Sequence, residues 1–86
     1  MSKVDDLRIA VSQVAQSTKS TANSLRGYQA NLSDKIGQIE ELIGGSATQT
    51  DREVIASLSA AVKSADETVN SLLDAASKAE AYTNQI

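Results

Sequence analysis

Eighty-six residues with no Phe, no Trp, no Cys and no His form one domain at most, and the inventory excludes disulfides, thiolate and zinc sites, and imidazole catalysis. The 41% hydrophobic content is largely Ala, which suits close contact between helices better than a thick core. The net charge of −3 falls in the second half: residues 1–43 hold five basic and five acidic groups, whereas 51–86 hold three and six. The basic residues are dispersed and not interleaved with aromatics, which argues against nucleic acid or an anionic membrane as partner.

No apolar run of signal-peptide length follows Met1, and no window approaches the ~20 apolar residues of a membrane span. The expectation is a protein soluble as translated, with any export by a signal-peptide-independent route. Pro is absent and Gly occurs four times, so the common helix breakers are missing from nearly the whole length. An all-α fold follows.

Ser2 with Asp5 resembles a capping box with the shorter acid, and Asp5 and Asp6 put negative charge at the positive end of the helix dipole. The first helix is predicted over 3–43. Its seam reads Val4, Leu7, Val11, Val14, Thr18, Thr21, Leu25, Tyr28, Leu32, Lys35 or Ile36, Ile39 and Leu42, in alternating steps of three and four. Thr18 and Thr21 thin this seam. Gly27 and Gly37 each weaken the helix by about 1 kcal/mol relative to Ala, or permit close approach of another helix.

Ile43-Gly44-Gly45-Ser46-Ala47 interrupts the pattern. Gly44 suits a left-handed C-terminal cap because it has no Cβ. Thr50 with Glu53 reads as the capping box of a second helix, which gives a turn over 44–50 and a helix over 51–85. The second seam is Ile55, Leu58, Val62, Ala65, Val69, Leu72, Ala76, Ala79, Thr83 and Ile86. Folding the helices together at the turn gives an antiparallel hairpin with Leu42 on Ile55, Ile39 on Leu58, Ile36 on Val62, Leu32 on Ala65, Tyr28 on Val69 and Leu25 on Leu72. Toward the open end the layers become Thr21 on Ala76 and Thr18 on Ala79, so packing is predicted tight at the turn and weak at the far end.

A second apolar set flanks the seam: Ala15, Ala22, Ile36 and Ile43 on the first helix, and Val54, Ala61, Leu73, Ala75 and Tyr82 on the second. A stripe this wide exceeds what one partner helix covers. It predicts a dimer or a complex with another helical hairpin in a four-helix bundle, with Ile36, Ile43, Val54, Leu73, Tyr82 and Ile86 at the partner interface. Tyr82, packed over its own helix or docked with Ile86 on a partner, is the aromatic of the last turns.

No enzyme and no cofactor are read from the sequence. The adjacent carboxylates Asp5-Asp6, Glu40-Glu41 and Asp66-Glu67 point about 100° apart on a helix and do not converge on one proton or metal ion. The hydroxyls have no base to activate them, and the Gly-Gly turn lacks the loop and Lys that cradle phosphate.

In length, layout and the Ile43-Gly44-Gly45-Ser46-Ala47 turn, the chain resembles the WxG-motif family, the early-secreted-antigen-like proteins handled by type VII secretion systems, with Ile43 where the family has Trp. The resemblance implies a homodimeric or heterodimeric four-helix bundle and a role as a secreted substrate or as a partner of a larger toxin's helical N-terminal domain. Of the family's C-terminal signal, Tyr-x-x-x-Asp/Glu, Tyr82 is present and Ile86 stands four residues on; this favours a partner beside a toxin that carries its own signal. Two other readings stay open. Leu58-Ser59-Ala60-Ala61-Val62-Lys63-Ser64-Ala65 also resembles the structural coils of bacterial chemoreceptors and flagellins, and the short hairpin resembles the self-assembling needle subunits of type III secretion, although it lacks their proline-containing turn.

Overall fold

A computed structural model describes residues 2–45 and 48–86; Ser46 and Ala47 of the expected turn motif lie outside the described residues. The protein is an all-α hairpin of two long helices, α1 (Lys3–Ile43) and α2 (Gln49–Gln85).

Each helix starts on a side-chain cap. The Ser2 hydroxyl accepts from the Asp5 amide at 3.2 Å, with Asp5 and Asp6 in the first turn, so an otherwise unsatisfied backbone donor is paired and the dipole is met by charge. At the other end of α1, Gly44 has φ +63° and its N–H donates to the Glu40 carbonyl at 3.0 Å. That is the left-handed region in which a side chain would be strained.

Helix α2 begins two residues before the predicted start because a different pair forms the capping box. The Thr48 hydroxyl accepts from the Asp51 amide at 3.1 Å, and the Asp51 carboxylate accepts from the Thr48 amide at 2.9 Å. Thr50 and Glu53 have the right spacing, but Glu53 instead takes the Gln49 side-chain amide at 3.4 Å. Once Thr48 caps, Thr50 is already inside the helix.

On α2 every seam residue expected from the sequence is buried or half-buried, with Val69 and Ala76 fully enclosed. On α1 the alternate heptad row is displaced by one residue. Val11, Thr18, Leu25, Leu32 and Ile39 face α2 as expected, but between them lie Ala15, Ala22, Gln29, Ile36 and Ile43. Val14, Tyr28 and Leu42 stand outside at 61%, 73% and 87% exposure, and Thr21 and Lys35 are exposed as well. This overturns the layers that paired Leu42 with Ile55, Tyr28 with Val69 and Thr21 with Ala76.

The choice between the two rows has a physical basis. The expected row would have put the Lys35 ammonium and the Tyr28 ring between the helices. Burying an unpaired cation is far costlier than leaving Val14 and Leu42 wet, and Ala15 and Ala22 let the backbones approach. Gln29 is the polar member of the true row, and its Nε2 donates across the seam to the Val62 carbonyl at 3.3 Å.

The predicted gradient from a tight turn to a weak open end is also corrected. The most completely buried side chains are Ala15, Ala22, Val69 and Ala76, at no more than 1% exposure, while Ile39, Ile43, Ile55 and Leu58 near the turn are half-buried. The hydroxyls of Thr18, Thr21 and Thr68 return to the carbonyl four residues back, at 2.7, 3.0 and 3.0 Å, so these polar positions do not leave an unsatisfied donor. Val4 and Leu7 are expected in the seam but are exposed: Leu7 belongs to the displaced row with Val14 and Tyr28, and Val4 lies in the first turn of the longer helix, with no stretch of α2 beside it.

Candidate interaction surface

Placing the observed seam on each helix divides the hairpin into two edges. In an antiparallel pair the residues immediately preceding one seam row on each helix share an edge, and those following it share the other. The ion pair between Lys19 and Glu80 marks the second edge, which otherwise carries Ser, Arg, Glu and Asp, with Leu73 half-buried among them.

The first edge differs. From α1 it presents Leu7, Val14, Thr21, Tyr28, Lys35 and Leu42, each seven residues from the next. From α2 it presents Val54, Ala61, Thr68, Ala75 and Tyr82. Among the described residues, six of the eight exposed large hydrophobic residues belong to these two rows; the others are Val4 and Ile9. The adjacent outer rows are mostly small and polar, with Ser17, Ser24 and Asn31 on α1 and Ser57, Ser64 and Ser71 on α2. None of the chain's eleven carboxylates falls in these four rows. All lie elsewhere around the helices or, for Asp51, in the α2 cap.

The sequence-predicted interface residues separate on this geometry. Val54 and Tyr82 stand together on the apolar face, at 48% and 42% exposure. Ile36, expected both in the seam on Val62 and at the partner interface, is buried between the helices; the seam position holds and the residue is not available to a partner. Ile86 is a seam residue at the end of α2, and Leu73 lies on the charged edge. Ile43 is half-buried at the turn, where it lines an open cleft of about 330 Å³ with Glu40, Gly44, Asp51 and Ile55. Val14, Tyr28 and Leu42 are surface residues that the sequence pattern places in the seam. Their signal was present in the unbroken seven-residue repeat of Ala15, Ala22, Gln29, Ile36 and Ile43, which competes with their own row and contains no charge.

Beside the Thr68 position of this face, α2 has an open depression lined by Ser64, Glu67, Thr68, Ser71 and Leu72, so the carboxylate of Glu67 borders the face there. Gly27 and Gly37, weighed as points of close helix approach, have nothing within 4 Å of a Cβ built on either, so neither serves the contact between α1 and α2.

Among the described residues no three His, Cys, Asp or Glu side chains are grouped so as to hold a metal ion, and no helix is long and apolar enough to cross a membrane. The perturbed acid is Asp51, held below the ordinary carboxylate value by its hydrogen bonds from the Thr48 backbone and hydroxyl; its partner is a helix cap, so the shift is structural. Comparison of the chain with protein-family models, curated proteins and solved structures finds no match.

Proposed function

We propose that this hairpin is a non-enzymatic interaction module that completes a four-helix bundle with another helical hairpin and serves as a partner or targeting helper for a larger secreted protein of the type VII kind. The observation that supports this reading is the segregation of exposed apolar residues. Leu42, Tyr28, Val14, Val54 and Tyr82 lie on one face with no carboxylate among them, whereas scattered surface apolar residues need no partner. A second helical pair packed there is the simplest cover for a stripe of this width.

The secretion assignment rests on the resemblance of the turn, Ile43-Gly44-Gly45, and of the overall layout to the WxG-motif family. In this reading the hairpin resides in the cytoplasm until it binds the helical N-terminal domain of its toxin and accompanies it outward. Co-expression with such a domain encoded beside this gene tests the proposal. A stoichiometric complex that is lost on Val54→Glu, together with reduced export of the toxin, is the expected result; an unbound hairpin and unchanged export would overturn it.

A further inference from the structure

Helix α1 carries two rows that can complete its seam, and we infer that the charge of Lys35 keeps the apolar one outside. In this account α1 is a two-position helix. Loss of that charge turns it about its own axis, so that Val14, Tyr28 and Leu42 enter the seam and leave the edge. The turn is a property of the isolated hairpin; its consequence, display or withdrawal of the apolar edge, rests on the reading of the hairpin as an interaction module.

The geometry permits the turn. Val11, Thr18, Leu25, Leu32 and Ile39 are half-buried or at the seam, belong to it with either row, and act as the pivot. The two competing rows differ by one residue, about 100° around a helix, so exchanging them moves the centre of the seam by half that, about 50°. No hydrogen bond within α1 has to break. Gly44 and Gly45 follow α1 directly and have the widest backbone freedom to absorb the movement.

The balance between the rows is close except at one level. Ile43 lines a cleft with Ile55, and Ile36 lines another with Val62. The ion pair of Lys19 with Glu80 continues that register to within one residue. Steps of seven then set Gln29 level with Val69, Ala22 with Ala76 and Ala15 with Thr83. The observed row gains close approach at Ala15 and Ala22, the hydrogen bond of Gln29 and the half-exposed pair of Lys19 with Glu80. The apolar row would gain the area of Val14 and Tyr28, with Ala76, Ala79 and Thr83 small enough to receive Val14 and Thr21. Leu42 and Ile43 are equal in size.

Positions 35 and 36 break the tie. Ile36 is buried, whereas Lys35 in its place would set an ammonium group against Val62. No residue three or four positions from Lys35 on α1 is acidic, and neither are Leu58, Val62 and Ala65 of the facing seam. Nothing there would pair the charge, which makes its burial costly.

The chain has two Tyr and neither Trp nor Cys, so both rows can be read residue by residue. In a Tyr82→Phe background, acrylamide quenching of fluorescence reports Tyr28. Thiol labelling of Thr21→Cys and, separately, of Ala22→Cys reports the two rows at one level. Each is measured with Lys35, with Lys35→Arg and with Lys35→Leu, at a concentration where sedimentation shows a monomer, and circular dichroism records the helix content. With Lys35 or Lys35→Arg the thiol at 21 should react roughly tenfold or more faster than the thiol at 22, and Tyr28 should be freely quenched. With Lys35→Leu the order of the two thiols should invert and the quenching of Tyr28 should fall, with helix content unchanged. A thiol at 22 that stays protected in Lys35→Leu would overturn the inference, as would loss of helix in that variant or an inverted order in the parent. Association through the edge would shield Tyr28 and position 21 but leave position 22 buried, so it is not mistaken for the turn. Since no partner is present, failure here leaves the interaction module standing, and failure to bind a partner leaves the turn standing.

Discussion

Along one edge of the hairpin Lys19 reaches Glu80 across the helices, among other ionised and hydroxylated side chains. Along the opposite edge Val14, Tyr28, Leu42, Val54 and Tyr82 stand exposed with no carboxylate between them. Both edges come from the same pair of seams and differ only in which heptad row follows and which precedes. Neither edge decides whether the hairpin forms, because exposed pairs contribute little and the exposed apolar residues are not yet buried. The seam decides it, and the edges are left to specify what else binds. The contrast can be broken from the inside outward.

The largest effect belongs to the seam on which both edges depend. Val69 is fully buried, and Val69→Asp places an unpaired carboxylate between the helices, a change expected to cost more than about 3 kcal/mol and to unfold so small a domain. Circular dichroism at neutral pH should show loss of helix.

The cap at the turn comes next. Thr48→Ala removes the hydroxyl that receives the Asp51 amide and should cost about 1 kcal/mol in a thermal melt. Asp51 adds a pH dependence whose sign follows from its lowered folded pKa. Its contribution is complete above the ordinary Asp value of 3.8 and is lost as the pH falls through the folded value. Asp51→Asn should therefore be less stable than the parent at pH 7 and approach it in acid.

Gly27 and Gly37 are exposed in the interior of α1 with no neighbour for an added Cβ. Gly27→Ala should raise stability by roughly 0.5–1 kcal/mol; a loss would mean that another surface approaches there. The smallest effect is on the charged edge. Lys19→Ala should change stability by no more than about 0.5 kcal/mol, and less in high salt, since both groups are about half exposed.

The all-α class, the extent of α1, the glycine turn and the whole α2 seam could be read from the sequence, because each rests on a local signal: missing Pro, a Gly that tolerates positive φ, and a single uninterrupted apolar row. The α1 seam could not be read this way. Val14 and Tyr28 are more hydrophobic than the neighbouring Ala15 and Gln29, so at these two positions a ranking by hydrophobicity selects the wrong row. What decides is a property of the pair: the enclosed space beside Val69 and Ala76 accepts an alanine, and no seam position pairs the Lys35 charge. The same ranking hides half of the candidate face, since Val14, Tyr28 and Leu42 read as interior while Ile36, a seam residue on Val62, also reads as partner surface.

The neighbouring positions 21 and 22 test the register most directly, because the account places one outside and the other at the tightest contact of the hairpin. Thermal melts of Thr21→Leu and Ala22→Leu, run at a concentration where the chain is monomeric, compare the two. Ala22 is fully enclosed, so Ala22→Leu should lose about 1–3 kcal/mol by overpacking, while Thr21→Leu on the exposed face should stay within about 0.5 kcal/mol of the parent. Loss of stability in Thr21→Leu with Ala22→Leu unaffected would contradict the register and the face built on it.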